Sequence, residues 1–408
     1  MNTIAERYVK LVLKLGAYDP DFVDAYYGPE NWKPSVNASK TEEIPLGEFD
    51  NESNDLLASL DAIDTSGLSA IEKLRHASMA KQLAAVRCRI IHLSGKKLLF
   101  DEESRQTYDA VAPSFPESHF KELLDRLGAM LSGTEDVSGR LERYKQSFVI
   151  PKEKLDAVFK AAIAEGRRQT LKHIELPPSE SFTVEYVNNK PWSGYNWYKG
   201  NCFSVIQVNT DLPIFIDRAV DLACHEGYPG HHVYNMLMEK NLFRDRGWME
   251  FSVYPLFSPQ SLIAEGSANF GIEVALPGDE RVHFEREVLF PIAGLDPAKT
   301  EEYYSIQSVK SKLDYAGNEA ARNFLDGRWN REEAVEWLVT YALFSPERAK
   351  QRLGFIERYR SYVINYNLGQ DMVREYIEKR GGNAANSALR WKLFEDLLSQ
   401  PHTPSDLQ

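Results

Sequence analysis

Apolar residues recur every three to four positions along most of this chain, a period that buries a continuous stripe only on an α-helix. Ile4, Tyr8, Leu11, Val12 and Leu15 make one such stripe over residues 3–15, with Thr3 placed to cap it and Gly16 to stop it. Leu74, Met79, Leu83, Val86 and Ile90 make another on a helix from Ser69 to Ser94, ended by Gly95. Further helices are expected near 47–62 and at 102–111, 117–132, 136–148 and 151–174, the last stopped by Pro177-Pro178. The pattern returns at 212–240, 258–276, 280–295, 300–326, 331–343, 346–367, 370–380 and 384–399. Within residues 17–66, the aromatic run YDPDFVDAYYGPENW carries no clear period.

Between residues 179 and 211 the period shortens to two. SFTVEYV and CFSVIQVNT alternate as half-buried strands do, and the aromatic, glycine-containing KPWSGYNWYKGN between them reads as a loop. The expected fold is therefore mainly α: a large multi-helix catalytic domain with a small antiparallel β element just before the helix that follows it. No fixed period repeats, which excludes a solenoid. We read residues 1–408 as a single unit, with an N-terminal helical part at 1–176 and a core part at 177–408.

The net charge of −12 and the lack of any block of five or six basic residues argue against a nucleic-acid partner. Cys88, Cys202 and Cys224 have no close-spaced pair, so they build neither a disulfide framework nor a cysteine zinc knuckle. The first residues, MNTIAERYVKLVLKLGAYDPD, lack the apolar core of a signal peptide, and no stretch approaches the ~20 apolar residues of a membrane span. A cytoplasmic protein acting on a small substrate, with no membrane partner, is the expectation.

The chemistry concentrates in DLACHEGYPGHHVYNML, residues 221–237. A His followed by Glu on a helix, with a second His about a turn later, is the zinc-peptidase arrangement. Neutral imidazoles bind Zn²⁺, a carboxylate completes the protein ligands, and the adjacent Glu226 stands ready to take a proton from water. The spacing is unusual. His225 and His231 are six apart, which on a straight helix turns the second side chain about 120° away from the first. His232, seven apart, shares the face of His225 but lies about 10 Å along the axis, too far for one metal. Pro229 and Gly230 offer a way out, because proline cannot donate to the His225 carbonyl and glycine accepts unusual dihedrals. The helix is therefore expected to be irregular between 225 and 232. In SLIAEGSANFGIE, residues 261–273, Glu265 lies among small residues and is the expected third ligand, with Glu273 a weaker candidate. Asn269, one turn later, is placed to hydrogen-bond a ligand imidazole.

HEGYPGHH resembles the H-E-x-x-P-G-H-H signature of the bacterial family catalogued as domain of unknown function 885. EGSANFGIE is similar to that family's E-G-W-A-x-Y-x-E segment, with Ser267 for the usual Trp, Phe270 for Tyr and Glu273 one residue late. The opening YVKLVLKLGAYDPDFVDAYYGP and the late RYRSYVINYNLGQ extend the likeness over most of the chain. The family is regarded as gluzincin-like peptidases, similar to dipeptidyl peptidase III in their elongated motif. The resemblance implies His225, His231 and Glu265 as ligands of one Zn²⁺ and Glu226 as the base, and leaves His232 as a residue behind the ligands or on the substrate side. It also implies Tyr366, in NYNLG, as a hydroxyl beside the metal that stabilises an oxyanion. A core tyrosine is the alternative reading of the same residue.

The reading that follows is a zinc-dependent hydrolase, a dipeptidase or carboxypeptidase acting on short peptides or chain ends. Two others share its residues: a non-haem iron enzyme on a two-His, one-carboxylate site, and a helical binding protein with a degenerate metal site. Glu226 favours hydrolysis, since an oxygenase needs no base there. The SVIQVNT strand is expected to pair with an extended substrate, with Asn209 either capping that pairing or holding a turn. PWSGYNWY, residues 191–198, is a candidate pocket lining, and Arg358 or Lys190 a candidate holder of a substrate carboxylate.

Overall fold

The computed structural model of the protein describes residues 1–34, 43–190 and 192–408, so Pro191 of the aromatic segment lies outside the described residues. The chain is mainly helical, as its periodicity dictates. The opening helix spans Asn2–Tyr18 and buries Ile4, Tyr8, Leu11, Val12 and Leu15. Its cap is Met1 rather than Thr3. The longest helix, Ala70–Leu93, starts at a reciprocal Ser69–Glu72 capping box.

Two apolar cores share the work of burial. One gathers Tyr8, Phe22, Leu83, Phe100 and Phe120 with Ile306, Leu338, Leu353 and Ile364. The other gathers Phe148, Phe159, Val208, Val220, Phe270, Phe290 and Phe394. These cores do not divide at residue 176. The helix Leu155–Thr170 packs with the sheet core, and the chain returns to the N-terminal core between Ile306 and Leu368.

The β structure is richer than expected. β1 (Val23–Tyr26) comes from the aromatic run that carried no period. β2 (Ser181–Val187), β3 (Gly194–Tyr198) and β4 (Phe203–Asn209) form one sheet, and β5 (Val253–Pro255) pairs antiparallel with β1. The three-stranded sheet runs β2-β4-β3. β3 pairs antiparallel with β4, but β2 pairs with it in parallel, so the sheet is mixed. Half of the expected aromatic loop is β3, and this reverses the chain between β2 and β4. β4 alternates as expected, with Ser204, Ile206 and Val208 buried.

Two helices pass through both cores. Pro259–Ala275 gives Leu262 to the first core and Ile263, Ala264 and Phe270 to the second. Ile364–Lys379 gives Ile364 and Leu368 to the first and Val373 and Ile377 to the second. Expected helices at 346–367 and 370–380 would end and start near Gly369. Instead the break falls at Arg360, whose φ of 53° follows the helix Pro346–Tyr359 and whose guanidinium is held by Glu103. Gly369 is mid-helix because it is where the two core-spanning helices touch. A Cβ on Gly369 would lie 2.6 Å from the Leu262 carbonyl oxygen, and one on Gly266 would collide with the Gly369 backbone.

This contact makes a stability prediction. Gly266→Ala should cost about 1–3 kcal/mol, because the helices must separate to admit a methyl group. Gly354→Ala, on an exposed helical position with nothing near a new Cβ, should be neutral or gain about 0.5–1 kcal/mol. Urea unfolding of the two variants measures the contrast.

Candidate metal centre

The helix that carries the motif is irregular where the spacing demanded it. An α-helical segment, Asp217–Leu222, passes into a π-helical turn at Ala223–Gly227. The Tyr228 amide donates five residues back to Ala223 O at 3.1 Å, and the Gly230 amide donates to Cys224 O at 2.9 Å. Pro229 then breaks the ladder, and a new helix, His231–Met238, starts at Gly230. A Cβ on Gly230 would collide with the carbonyl oxygens of Cys224 and His225, so only glycine fits there. The result cancels the rotation that six helical residues would impose. The His225 and His231 rings lie 4.6 Å apart, edge to face, and their ligand atoms and a Glu226 carboxylate oxygen lie within 4.8 Å of one another.

Glu265 comes from the core-spanning helix Pro259–Ala275. Its Oε2 lies 3.3 Å from His225 Nε2 and 3.7 Å from His231 Nε2. That oxygen is cut off from water and accepts no hydrogen bond, so the distances reflect convergence rather than bonding. Ligands about 2.0–2.2 Å from a tetrahedral zinc lie about 3.3–3.6 Å from one another, so Glu265 Oε2 is near the reach of a cation shared with either imidazole. A buried, unpartnered carboxylate oxygen facing two imidazole nitrogens is costly without a cation to meet it. The electrostatics show the same tension. Burial pushes the Glu265 carboxyl up, but attraction to His225 and His231 wins and holds it well below the usual range. Burial pushes His231 down, but the Glu265 carboxylate wins and raises it to about 9.

His225 and Glu265 are each held from behind. Asn269 Oδ1 lies 2.8 Å from His225 Nδ1, and Asn269 Nδ2 donates to the Tyr366 carbonyl at 2.9 Å. With its amide so oriented, Asn269 can only accept from Nδ1–H, which leaves the Nε2 lone pair free for a metal. Tyr362 Oη donates to Glu265 Oε1 at 2.7 Å. Tyr366, one helical turn on, stacks edge-on to Tyr362 at 5.8 Å and is half-buried. Burial and the nearby Glu265 charge hold its pKa well above normal, so its hydroxyl remains a donor.

Sequence reasoning missed Asp24 and Tyr362, and gave Tyr195 only as part of the candidate pocket lining 191–198. Asp24 projects from β1 and accepts a hydrogen bond from Tyr195 Oη on β3. Burial pushes its carboxyl up to about 6, against the pull of that hydrogen bond and of His231. Nothing local marks Asp24, since β1 exists only by pairing with β5 far along the chain. Tyr362 had a signal, its spacing of four from Tyr366 in SYVINYN.

Glu226 is buried beside β3. A Cβ on Gly194 would lie 3.0 Å from Glu226 Oε1, and Asn196 Nδ2 donates to the Glu226 carbonyl at 2.6 Å. β4 is the central strand and has no free edge for a substrate, so the edge beside Glu226 belongs to β3. Asn209 holds a turn: its Nδ2 donates to the Lys190 and Trp192 carbonyls at 2.9 and 3.0 Å.

Other expected residues lie elsewhere. His232 is fully buried, with Nδ1 2.8 Å from Ser204 Oγ and Nε2 3.2 Å from Glu180 Oε2, because adjacent helical residues point about 100° apart. It anchors the motif helix to the sheet, away from Glu265. Glu273 pairs with Arg374 outside the site. Ser267 turns back to the Ala264 carbonyl, and Phe270 packs on Phe394 in the core. Burial pushes the Cys224 thiol up to about 12, which makes it inert. Arg358 is taken by Asp21 at 2.5 Å, and Lys190 is exposed with its ammonium 5.9 Å from the Trp192 ring.

No protein-family model and no curated protein matches the chain. Solved structures of similar fold do. A "putative lipoprotein" from Colwellia psychrerythraea superposes with a TM-score of 0.54 at 14% identity, over 87% of this chain and 65% of its own. A "putative lipoprotein of unknown function" from Shewanella oneidensis gives 0.42 at 14% identity, over 86% and 71%. Trypanosoma cruzi metallocarboxypeptidase 1 gives 0.48 at 11% identity, over 99% of this chain and 92% of its own. The chain thus spans about two thirds of the Colwellia protein's length, and at these identities the likeness concerns the fold.

Proposed function

We propose that the protein is a zinc-dependent hydrolase that cleaves the amide bond of short peptides or chain ends. The observation that carries this reading is the buried, unpartnered Glu265 Oε2, converging with His225 and His231 Nε2 beside the Glu226 carboxylate. Three carboxylates, Asp24, Glu226 and Glu265, influence His231, so the site favours a dication. Glu226 beside the two imidazoles favours a hydrolytic zinc site over a non-haem iron oxygenase, which needs no base there. When bound, the zinc would polarise the scissile carbonyl and acidify a water.

The chain's own groups do the remaining chemistry. Glu226 takes the water proton on a carboxylate oxygen and delivers it to the leaving amine nitrogen. Asn269 keeps the His225 ring in the tautomer that leaves Nε2 free, and Tyr362 fixes the rotamer of Glu265. Tyr366 offers its hydroxyl hydrogen to the developing oxyanion. The free edge of β3 aligns an extended backbone past Glu226. Among the described residues no helix is long and apolar enough to cross a membrane. The three unpaired cysteines suit a reducing compartment such as the cytoplasm.

Elemental analysis of the purified protein should find about one zinc per chain, absent from Glu265→Ala; iron in its place would support the oxygenase reading, and no metal would remove this one. Glu226→Gln should retain zinc but lower kcat on a dipeptide library by about 10²–10⁴-fold. Asn269→Ala should weaken zinc binding by about 10–100-fold in a chelator competition, with the fold unchanged by circular dichroism.

A further inference from the structure

The helix Pro346–Tyr359 carries Arg348 and Arg352 one turn apart on one face. The Arg352 guanidinium lies 4.8 Å from the Phe355 ring and 5.9 Å from the Tyr366 ring. Tyr366 in turn lies 5.8 Å from Tyr362, whose hydroxyl holds Glu265. Arg352 is therefore one aromatic ring beyond the residues that surround the candidate metal.

Arg352 stands beside Tyr366 without a carboxylate partner, and Arg348, one turn before it, has none either. Carboxylates outnumber cationic side chains, sixty to forty-eight, and most arginines are matched, as Arg75 is by Glu250 and Arg322 by Glu319. Among the described residues neither Arg348 nor Arg352 forms an ion pair; Glu142 and Asp314 are felt only from farther away. A third arginine, Arg218, stands beside Arg348. It sits seven residues before His225, pairs weakly with Asp221 at 3.3 Å, and reaches Ser193 Oγ, next to β3, at 3.4 Å. Lys145 joins them from another helix. Arg348 is open to solvent and Arg352 partly so, yet burial holds both below the ordinary arginine value, with the neighbouring cations adding to it at Arg348. Arg352 is thus partly desolvated while still within reach of a solute.

We propose that Arg352 and Arg348 form an anion subsite of the cleft and that it takes the carboxylates of a peptide ending in an acidic residue, so that the substrate's leaving half is a dicarboxylate such as a C-terminal glutamate. The geometry suits this class. A guanidinium binds a carboxylate with two parallel hydrogen bonds, and a partly desolvated one does so more strongly than a surface lysine. Two guanidiniums from adjacent turns of one helix, seated on Phe344 and Phe355, can each take one carboxylate of such a chain end. An anion there also relieves the repulsion among the arginines. The words "leaving half" rest on the hydrolase reading; the anion subsite itself does not.

The test separates the two. Calorimetric titration with N-acetyl-L-glutamate, on zinc-loaded and chelator-treated protein, should show binding at least about 10-fold tighter than for its uncharged diamide. Arg352→Met should remove that preference, Arg348→Met should reduce it, and Arg352→Lys should restore it in part, with zinc content unchanged. Hydrolysis of N-acetyl-Ala-Glu should exceed that of its diamide through KM, and Arg352→Met should raise KM while leaving kcat within a few-fold. Should Arg352→Met fail to fold, the wild-type preference and Arg348→Met decide. Equal binding of glutamate and diamide by the wild type overturns the subsite. Glutamate preference with no hydrolysis of any peptide keeps the subsite and overturns the hydrolase.

Discussion

The structure turns on the contact of two helix backbones at Gly266 and Gly369. With no side chain on either, Pro259–Ala275 and Ile364–Lys379 approach until the Leu262 carbonyl and the Gly369 backbone nearly touch. One helix carries Glu265 and Asn269, the other Tyr366, and Tyr362 precedes it by two residues. The hydrogen bonds from Tyr362 to Glu265 and from Asn269 to the Tyr366 carbonyl span this contact. Both helices also join the two cores, so the energy that holds the site together is the burial of Leu262, Ile263, Phe270, Leu368 and Val373, each worth about 1.5–3 kcal/mol. The polar site itself is a local deficit that this burial offsets.

Charge is sorted along the cleft. Asp24, Glu226 and Glu265 gather around His225 and His231, where a dication is wanted. Arg352, Arg348 and Arg218 gather a short way off without carboxylate partners. Each cluster repels itself, and each is relieved by what it would bind. Coulomb energies grow as the local dielectric falls, so such sorting among partly desolvated groups acts more strongly than it would on an open surface.

Much of this was legible in the chain. The helical period located nearly every helix, because an amphipathic stripe is a local property of the sequence. The His-Glu-x-x-Pro-Gly-His-His order required a broken helix, and the π turn at Ala223–Gly227 with a restart at Gly230 supplies one. Less legible was how segments pair. KPWSGYNWYKGN looked like a loop because half of its alternation is aromatic on both faces, yet it became the strand beside Glu226. Gly369 looked like a helix stop because a glycine reads the same whether it ends a helix or allows one to be crossed.

What the sequence determined by itself was therefore the set of helices and the groups that converge: His225, Glu226 and Glu265 with one of His231 and His232, and Asn269 behind them. These follow from local spacing and from the few side chains able to hold a cation. The tertiary structure alone decided that His231 rather than His232 faces Glu265, that Asp24 and Tyr362 join the site, and that Arg352 stands unpaired beside Tyr366 while Arg358 is taken by Asp21. Those outcomes depend on which distant segments share a wall, and the pairing of distant segments leaves no trace in the spacing of neighbours.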